Sequence, residues 1–315
     1  MRQNSGTNST AIKFAVLLLI LAVILAGLFS APSSGAGGRG ATGFLHSVVV
    51  GDITGHEVVN LFLLGFISGV VGGMLGMGGG VLKVVNLHLL LGFGIIFARI
   101  VSLLSYVVIS LSAFFRYRKY RLILWDVVKL LIPAAILGAL VGAIIGSWIN
   151  KEVVEIIVGV YAMLAGIIVL NQIWANPDEK VMTEFSSNDI NEATAAGIGA
   201  AMGVISSLIG ISGGIISTPL QNSLLKVPLK NSIANTITVA VFCSIFASGF
   251  LLFQGLRAGD FVFEEVMFVT VCLIPGNILG AQLGGYLTNR LQLNYIRAAF
   301  GIIAFVIGFK ILLRH

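Results

Sequence analysis

The chain has 315 residues, 57% of them hydrophobic and only 10% charged, with a mean hydropathy of +1.02. Soluble domains carry roughly 25% charged residues, and a water-soluble fold of this size could not hide so much apolar surface, whereas lipid solvates it. The net charge of +6 does not signify nucleic-acid binding, because the basic residues sit in short loops between apolar runs, as in the cytoplasmic loops of membrane proteins.

Residues 11–30 (AIKFAVLLLILAVILAGLFS) form the first apolar run, with Arg2 before it and Lys13 within it. The basic start and the small residues after Phe29 also fit a signal peptide, but the length suits a retained membrane helix, which is the favoured reading. The Gly- and Ser-rich stretch that follows reads as a flexible extracytoplasmic loop, so 1–56 stands apart from the rest. Further hydrophobic stretches cover about 57–92, 95–115, 126–148, 153–171, 193–225, 231–253, 265–288 and 294–313. The longest polar interval, 172–192, is acidic, contains Asn176-Pro177, and reads as a cytoplasmic linker between two transmembrane units, 57–171 and 193–315. Cys243 and Cys272 lie in apolar runs and make neither a disulfide framework nor a metal spacing.

The two units repeat one another. At an offset of 134, Gly76-Met77-Gly78-Gly79-Gly80-Val81 matches Gly210-Ile211-Ser212-Gly213-Gly214-Ile215. Further along the offset becomes 142, and Ile132-Pro133-Ala134-Ala135-Ile136-Leu137-Gly138-Ala139 faces Ile274-Pro275-Gly276-Asn277-Ile278-Leu279-Gly280-Ala281. Gly142, Gly159 and Gly166 fall on Gly284, Gly301 and Gly308. Apolar composition alone does not give a shared I-P-x-x-I-L-G-A string with three further glycines in register.

Loop charges predict that the copies are inverted. The loop Arg116-Tyr117-Arg118-Lys119-Tyr120-Arg121 carries four positive charges and belongs in the cytoplasm, whereas its counterpart near 254–265 has Arg257 against Asp260, Glu264 and Glu265. Equivalent loops on opposite sides require an odd number of crossings per unit. Three of the four hydrophobic elements in each unit are ordinary spans, so the glycine-bearing one enters and leaves on the same side. That arrangement places twelve Lys and Arg residues inside and five outside, against ten and seven if each glycine segment crossed once. The expected fold is an all-α polytopic membrane protein of two inverted repeats. It has about seven full spans plus two glycine-broken re-entrant helical hairpins, in the cell membrane.

The glycine clusters cannot continue a regular helix comfortably, and non-helical backbone at membrane depth survives only against protein or a polar cavity. Broken helices at matched positions of inverted halves point to a transport site near the midplane, where helix ends suit an anion. The bland alternative, close helix packing through small residues, fits most other glycines better. Candidate substrate contacts are therefore Gly76, Gly78, Gly79, Gly80 and Lys83 in the first copy, with Gly210, Ser212, Gly213, Gly214, Ser217, Thr218 and Asn235 in the second. Lys83 is an ionisable residue at membrane depth whose repeat partner is Ser217; snorkelling to an interface competes with a site role. Asn86, His88, Gln221, Asn222, Thr236 and Asn277 lie nearby, and Arg99 reads equally as a phosphate-facing anchor or a substrate contact. All thirteen carboxylates fall in loops or at span ends, which disfavours a cation pathway and favours an anion.

The duplicated glycine clusters, each followed later by the I-P-x-x-I-L-G-A pattern, resemble the TauE/SafE sulfite exporter family, also called the toluene sulfonate uptake permeases. The resemblance covers about residues 57–313. It implies a secondary transporter of sulfite, sulfonates or related organosulfur anions. Family members continue apolar residues into a proline where this chain has Lys83-Val84-Val85, whereas the second copy keeps Thr218-Pro219.

An enzyme reading finds no paired intramembrane carboxylates, no metal spacing and no nucleophile with a base partner. No cofactor is expected. The expected partners are a small anionic substrate and the lipid bilayer; coupling to a proton or ion and assembly into a homo-oligomer stay open. An anion-selective channel is the alternative, since paired half-helices also build pores. Cysteines introduced as Lys119→Cys and Arg257→Cys are expected to react with an impermeant thiol reagent from opposite membrane faces. Labelling from one face would end the inverted arrangement.

Overall fold

In a computed structural model of the chain, residues 55–75, 79–175, 190–211, 213–290 and 293–313 are described. The expected N-terminal helix or signal, most of its loop, much of the linker, and Gly76, Gly78 and Ser212 lie outside the described residues. Every described element is helical. In chain order these are α1 (Gly55–Leu75), α2 (Gly80–Val85) running into a π-turn (Asn86–Leu90), α3 (Ile95–Lys119), α4 (Trp125–Trp148) and α5 (Lys151–Ala175). The second half supplies α6 (Glu192–Ile209), α7 (Gly214–Leu224), α8 (Leu229–Ala258), α9 (Phe263–Arg290) and α10 (Leu293–Leu312).

Among the described residues six helices are long and apolar enough to cross a membrane: residues 95–119, 125–148, 152–171, 192–209, 229–258 and 263–288. One of them is α6, the arm that leads into the second glycine break. Its 18 residues rise about 27 Å, close to the roughly 30 Å of a hydrocarbon core. Large apolar side chains face outward on α4, α5, α8, α9 and α10, among them Leu137, Trp148, Leu164, Phe246, Phe253, Leu279 and Phe309. The interior, by contrast, holds Lys83, Arg99, Asn235, Asn277 and many hydroxyls. This apolar-outside distribution suits a lipid solvent and would be an aggregation surface in water. The protein is a multi-pass integral membrane protein.

The long helices pack across the two halves. α1 lies mainly against α9, α4 against α6, and α5 against α10, while α3 and α8 are the most enclosed of the long helices and touch each other. Exchanging the elements of 55–175 for those of 192–312 leaves this list of partners unchanged. The atomic contacts repeat at the sequence offsets as well. Gly65 abuts Leu273 as Gly199 abuts Leu131, Gly69 abuts Asn277 as Gly203 abuts Ala135, and Gly280 abuts Phe66 as Gly138 abuts Ala200.

Residue spacing explains these close approaches. Gly65, Gly69 and Gly73 on α1 meet Gly276, Gly280 and Gly284 on α9, each set four residues apart on one helix face. In lipid, helices gain no hydrophobic drive to associate, so backbone-to-backbone packing over such small-residue stripes carries the association. In the α5–α10 pair, Gly166 touches Gly301 and Gly159 touches Gly308, so the two helices run antiparallel. The α1–α9 and α4–α6 pairs run parallel by the same test.

A Cβ at Gly280 would run into the Phe66 carbonyl and the backbone of Val70. Gly280→Val is therefore expected to cost about 1–3 kcal/mol or more through forced separation of α1 and α9, read as a lower melting temperature in detergent. Gly197→Ala, whose Cβ meets nothing within 4 Å, is the control and should match or exceed the parent. Equal melting of parent and Gly280→Val would remove the stripe as a packing determinant.

Candidate functional site

Both breaks end a helix inside the protein, where terminal carbonyls need partners. In the first copy the Tyr117 hydroxyl donates to the Gly73 carbonyl at 2.8 Å and lies 2.9 Å from the Thr288 hydroxyl. Thr288 in turn donates to the Met74 carbonyl at 2.9 Å. The residue equivalent to Gly73 in the second copy is Ser207, and its carbonyl accepts from the Arg99 guanidinium at 3.0 Å. A cation at a helix C-terminus also meets the negative end of the dipole. Arg99 is only 2% exposed, which removes the phosphate-facing anchor as its role.

Gly210 closes α6 in the left-handed conformation, with φ 76°, and both it and Ile211 donate their N–H to the Ser206 carbonyl. A side chain there would be strained and would collide with Arg99.

The two breaks meet. A Cβ on Gly80 would stand 3.1 Å from the Ile211 Cα and 3.2 Å from the Ser102 hydroxyl, which donates to the Gly80 carbonyl at 3.4 Å. Gly79 and Gly213 open α2 and α7 in the same way, their carbonyls accepting the N–H of Lys83 and of Ser217, each at 3.1 Å. Gly79 packs on the backbone of Ser68, and Gly213 on Met202, again a pair related by the offset of 134. Gly214 begins α7 and is buried.

Lys83 does not snorkel: its side chain is fully buried. Its ammonium donates to the Ser105 hydroxyl at 2.6 Å, and Ser105 donates to the Ser102 carbonyl at 3.0 Å. Arg99, Ser102 and Ser105 are spaced three apart on α3, so one helix face runs past both breaks over about 9 Å. An ammonium has three donors, and Ser105 is the acceptor that Lys83 has among the described residues. The ion pair found among those residues, His88–Glu155 at 3.4 Å, lies elsewhere, so no carboxylate among the described residues pairs with Lys83.

The second copy answers this charge with neutral groups. Gln221 donates to Ser217 at 2.9 Å and to Thr236 at 3.0 Å, and its carbonyl oxygen accepts from Asn235 at 3.2 Å. The Asn235 oxygen accepts the Leu124 N–H at 2.9 Å, and Thr218 lies 3.3 Å from Thr236, every one of these side chains being fully buried. Ser217, Thr218 and Asn235 are thus engaged through Gln221 and Thr236, and Asn235 also with the α3–α4 turn.

Beyond α2 the turn is again duplicated. A His88 ring nitrogen lies 2.8 Å from the Phe93 carbonyl, and at the same offset the Asn222 amide donates to the Val227 carbonyl at 2.9 Å. The helix after the first break is only six residues before it widens into the π-turn. Its dipole is correspondingly slight, and the electrostatics of the site rest on Lys83 instead. The packing gap that borders Val84, His88 and Glu155 has no room for a water molecule and does not include Lys83.

Ser102 and Ser105 belong to this region and were not singled out in the sequence, whereas Gln221 and Thr236 were named there as neighbours of the candidate contacts. The available signal was the three-residue spacing of Arg99, Ser102 and Ser105 within an apolar span.

Comparison with known proteins identifies the family. Residues 61–311 match the model of the family described as sulfite exporter TauE/SafE. The chain is similar to "Probable membrane transporter protein MamO" of Paramagnetospirillum magneticum, at 30% identity over 290 residues, covering 84% of this chain and 46% of that protein. The protein of the same name in Magnetospirillum gryphiswaldense gives 29% identity with the same coverage. A probable membrane transporter protein of Methanocaldococcus jannaschii gives 22% identity over 263 residues, covering 80% of this chain and 94% of that one. The chain thus spans about half the length of the MamO proteins. No solved structure matches. The chain belongs to the TauE/SafE sulfite exporter family of membrane transporters.

Proposed function

We propose that the chain is a secondary transporter moving small anions, namely sulfite, sulfonates or related organosulfur compounds, across the membrane where the two glycine breaks meet. The observation that carries this reading is Lys83, a fully buried ammonium beside both breaks with no carboxylate partner among the described residues. An isolated charge in that position is costly and is retained in membrane proteins for function. A visiting anion supplies the missing counter-charge. Gly79, Gly80, Gly210, Gly213 and Gly214 form the meeting point, with Ser217, Thr218 and Asn235 as its neutral wall; Gly76, Gly78 and Ser212 complete the proposed site by sequence.

The proposed architecture is two inverted repeats, 57–171 and 193–315, each opening with a re-entrant hairpin and joined by the cytoplasmic linker 172–192. The hairpin reading is supported by Gly79 packing beside Ser68, seven residues back from the end of α1, and by Gly213 beside Met202. The inverted reading is supported by α5 and α10, which hold the same place in each copy and run antiparallel. Two opposed units around one site suit alternating access. The sealed environment of Lys83 favours this over a channel, because an occluded charge must be exposed in turn to each side. No catalytic role is part of this reading, which leaves room for a coupling proton or ion and for a homo-oligomer.

Proteoliposomes holding the full chain should show saturable, counterflow-competent uptake of sulfite or a sulfonate, tested with and without a pH gradient. Lys83→Ala should lower that flux about tenfold or more while the purified variant keeps its elution profile and helicity. Non-saturating conductance would favour the channel, and unchanged flux in Lys83→Ala would remove Lys83 from the site.

A further inference from the structure

Ser105 is approached from both halves of the molecule. The Lys83 ammonium donates to its hydroxyl at 2.6 Å, and the Asn277 amide of α9 approaches its carbonyl at 3.4 Å. Asn277 is fully buried, yet its side-chain oxygen has no hydrogen-bond partner. Unmet acceptors in a protein interior are costly and call for an explanation. Lys83 presents the complementary excess, with one acceptor among the described residues for three N–H bonds. Spare donors on a cation and a spare neutral acceptor therefore meet at one serine.

The charge balance at this level is simple. Arg99 lies six residues before Ser105, about 9 Å along α3, and faces the Ser207 carbonyl. Glu265 is buried too, but it stands twelve residues before Asn277, about 18 Å along α9. The flanking residues of α2, Val81, Leu82, Val84 and Val85, are buried and apolar. One ammonium balances one negative charge. A second negative charge carried into the same surroundings would find its nearest described cation in Arg99, about 9 Å along α3 and engaged at the Ser207 carbonyl, too far for a direct contact from the Lys83 position.

We infer that Lys83 and Asn277 together select a monoanion that carries its own hydrogen-bond donor, a singly charged hydroxysulfonate or a protonated oxyanion, over a dianion. This rests on the reading of Lys83 as the anion contact and names the charge and hydrogen-bonding class of the substrate. Lys83 holds the anionic end, and the Asn277 oxygen accepts from the ligand's O–H or N–H. The contact joins the two halves, since Lys83 belongs to the first and Asn277 to the second.

The test uses the purified full chain and three ligands of similar size: 2-hydroxyethanesulfonate, ethanesulfonate and ethane-1,2-disulfonate, with affinities from calorimetry or thermal shift. The hydroxysulfonate should bind about fivefold more tightly than ethanesulfonate, and the disulfonate about tenfold or more weakly than ethanesulfonate. Asn277→Ala should abolish the preference for the hydroxyl while keeping ethanesulfonate binding, and Lys83→Gln should abolish binding of all three. The ligand series on the unaltered chain decides the matter even if a variant fails to fold. Equal or tighter binding of the disulfonate, or no preference for the hydroxyl, would overturn this inference and leave the proposed transport of anions standing. No binding of any of the three would overturn both.

Discussion

Every backbone N–H and C=O at membrane depth must find its partner within the protein, because lipid offers none. A continuous helix meets that demand by itself; a helix interrupted inside the membrane does not. Among the described residues α1 and α6 end inside the protein, and much of the interior chemistry follows from the repair. Tyr117 and Thr288 serve the carbonyls of Gly73 and Met74, and Arg99 serves the carbonyl of Ser207. The same structural problem, duplicated by the repeat, has two solutions: a pair of hydroxyls in one half and a guanidinium in the other. With those carbonyls partnered, the breaks come together at Gly80 and Ile211.

The halves diverge in the same spirit around the meeting point. Where one has Lys83 on Ser105, the other has Ser217 in a network with Gln221, Thr236 and Asn235. A network whose members satisfy each other is rigid and neutral. Lys83, with Ser105 as its acceptor among the described residues, has no such network. The duplication thus supplies a symmetric frame, and the side chains break the symmetry around Lys83 and Ser217.

Much of this was legible in the sequence because the features involved are local. The glycine clusters, the repeat at offsets of 134 and 142, and the anomaly of Lys83 are visible along the chain. Partners distant in sequence were not. Arg99 is separated from Ser207 by 108 residues and Asn277 from Ser105 by 172, and nothing in the periodicity of either helix announces such a bond. The glycines at four-residue spacing declared close packing but not against which helix. The burial of Lys83 was undecidable from its position, since a short hairpin allows a long side chain to reach an interface; only the packing of α2 against α3 closes that route. Arg99 misled in the opposite sense, because a basic residue near a span end is usually solvent- or headgroup-facing.

The pairing of α1 with α9 and of α4 with α6 bears on how the protein is made. A ribosome delivers α1 roughly 200 residues before the helix it packs against, which at about 5–20 residues per second is some 10–40 seconds. During that interval α1 holds a glycine stripe with no partner, and α2 carries a lysine whose enclosure is incomplete. The first half must therefore wait in the bilayer as loosely associated helices. Assembly becomes a late event in which both halves lock together at once, rather than one half serving as a finished template for the next.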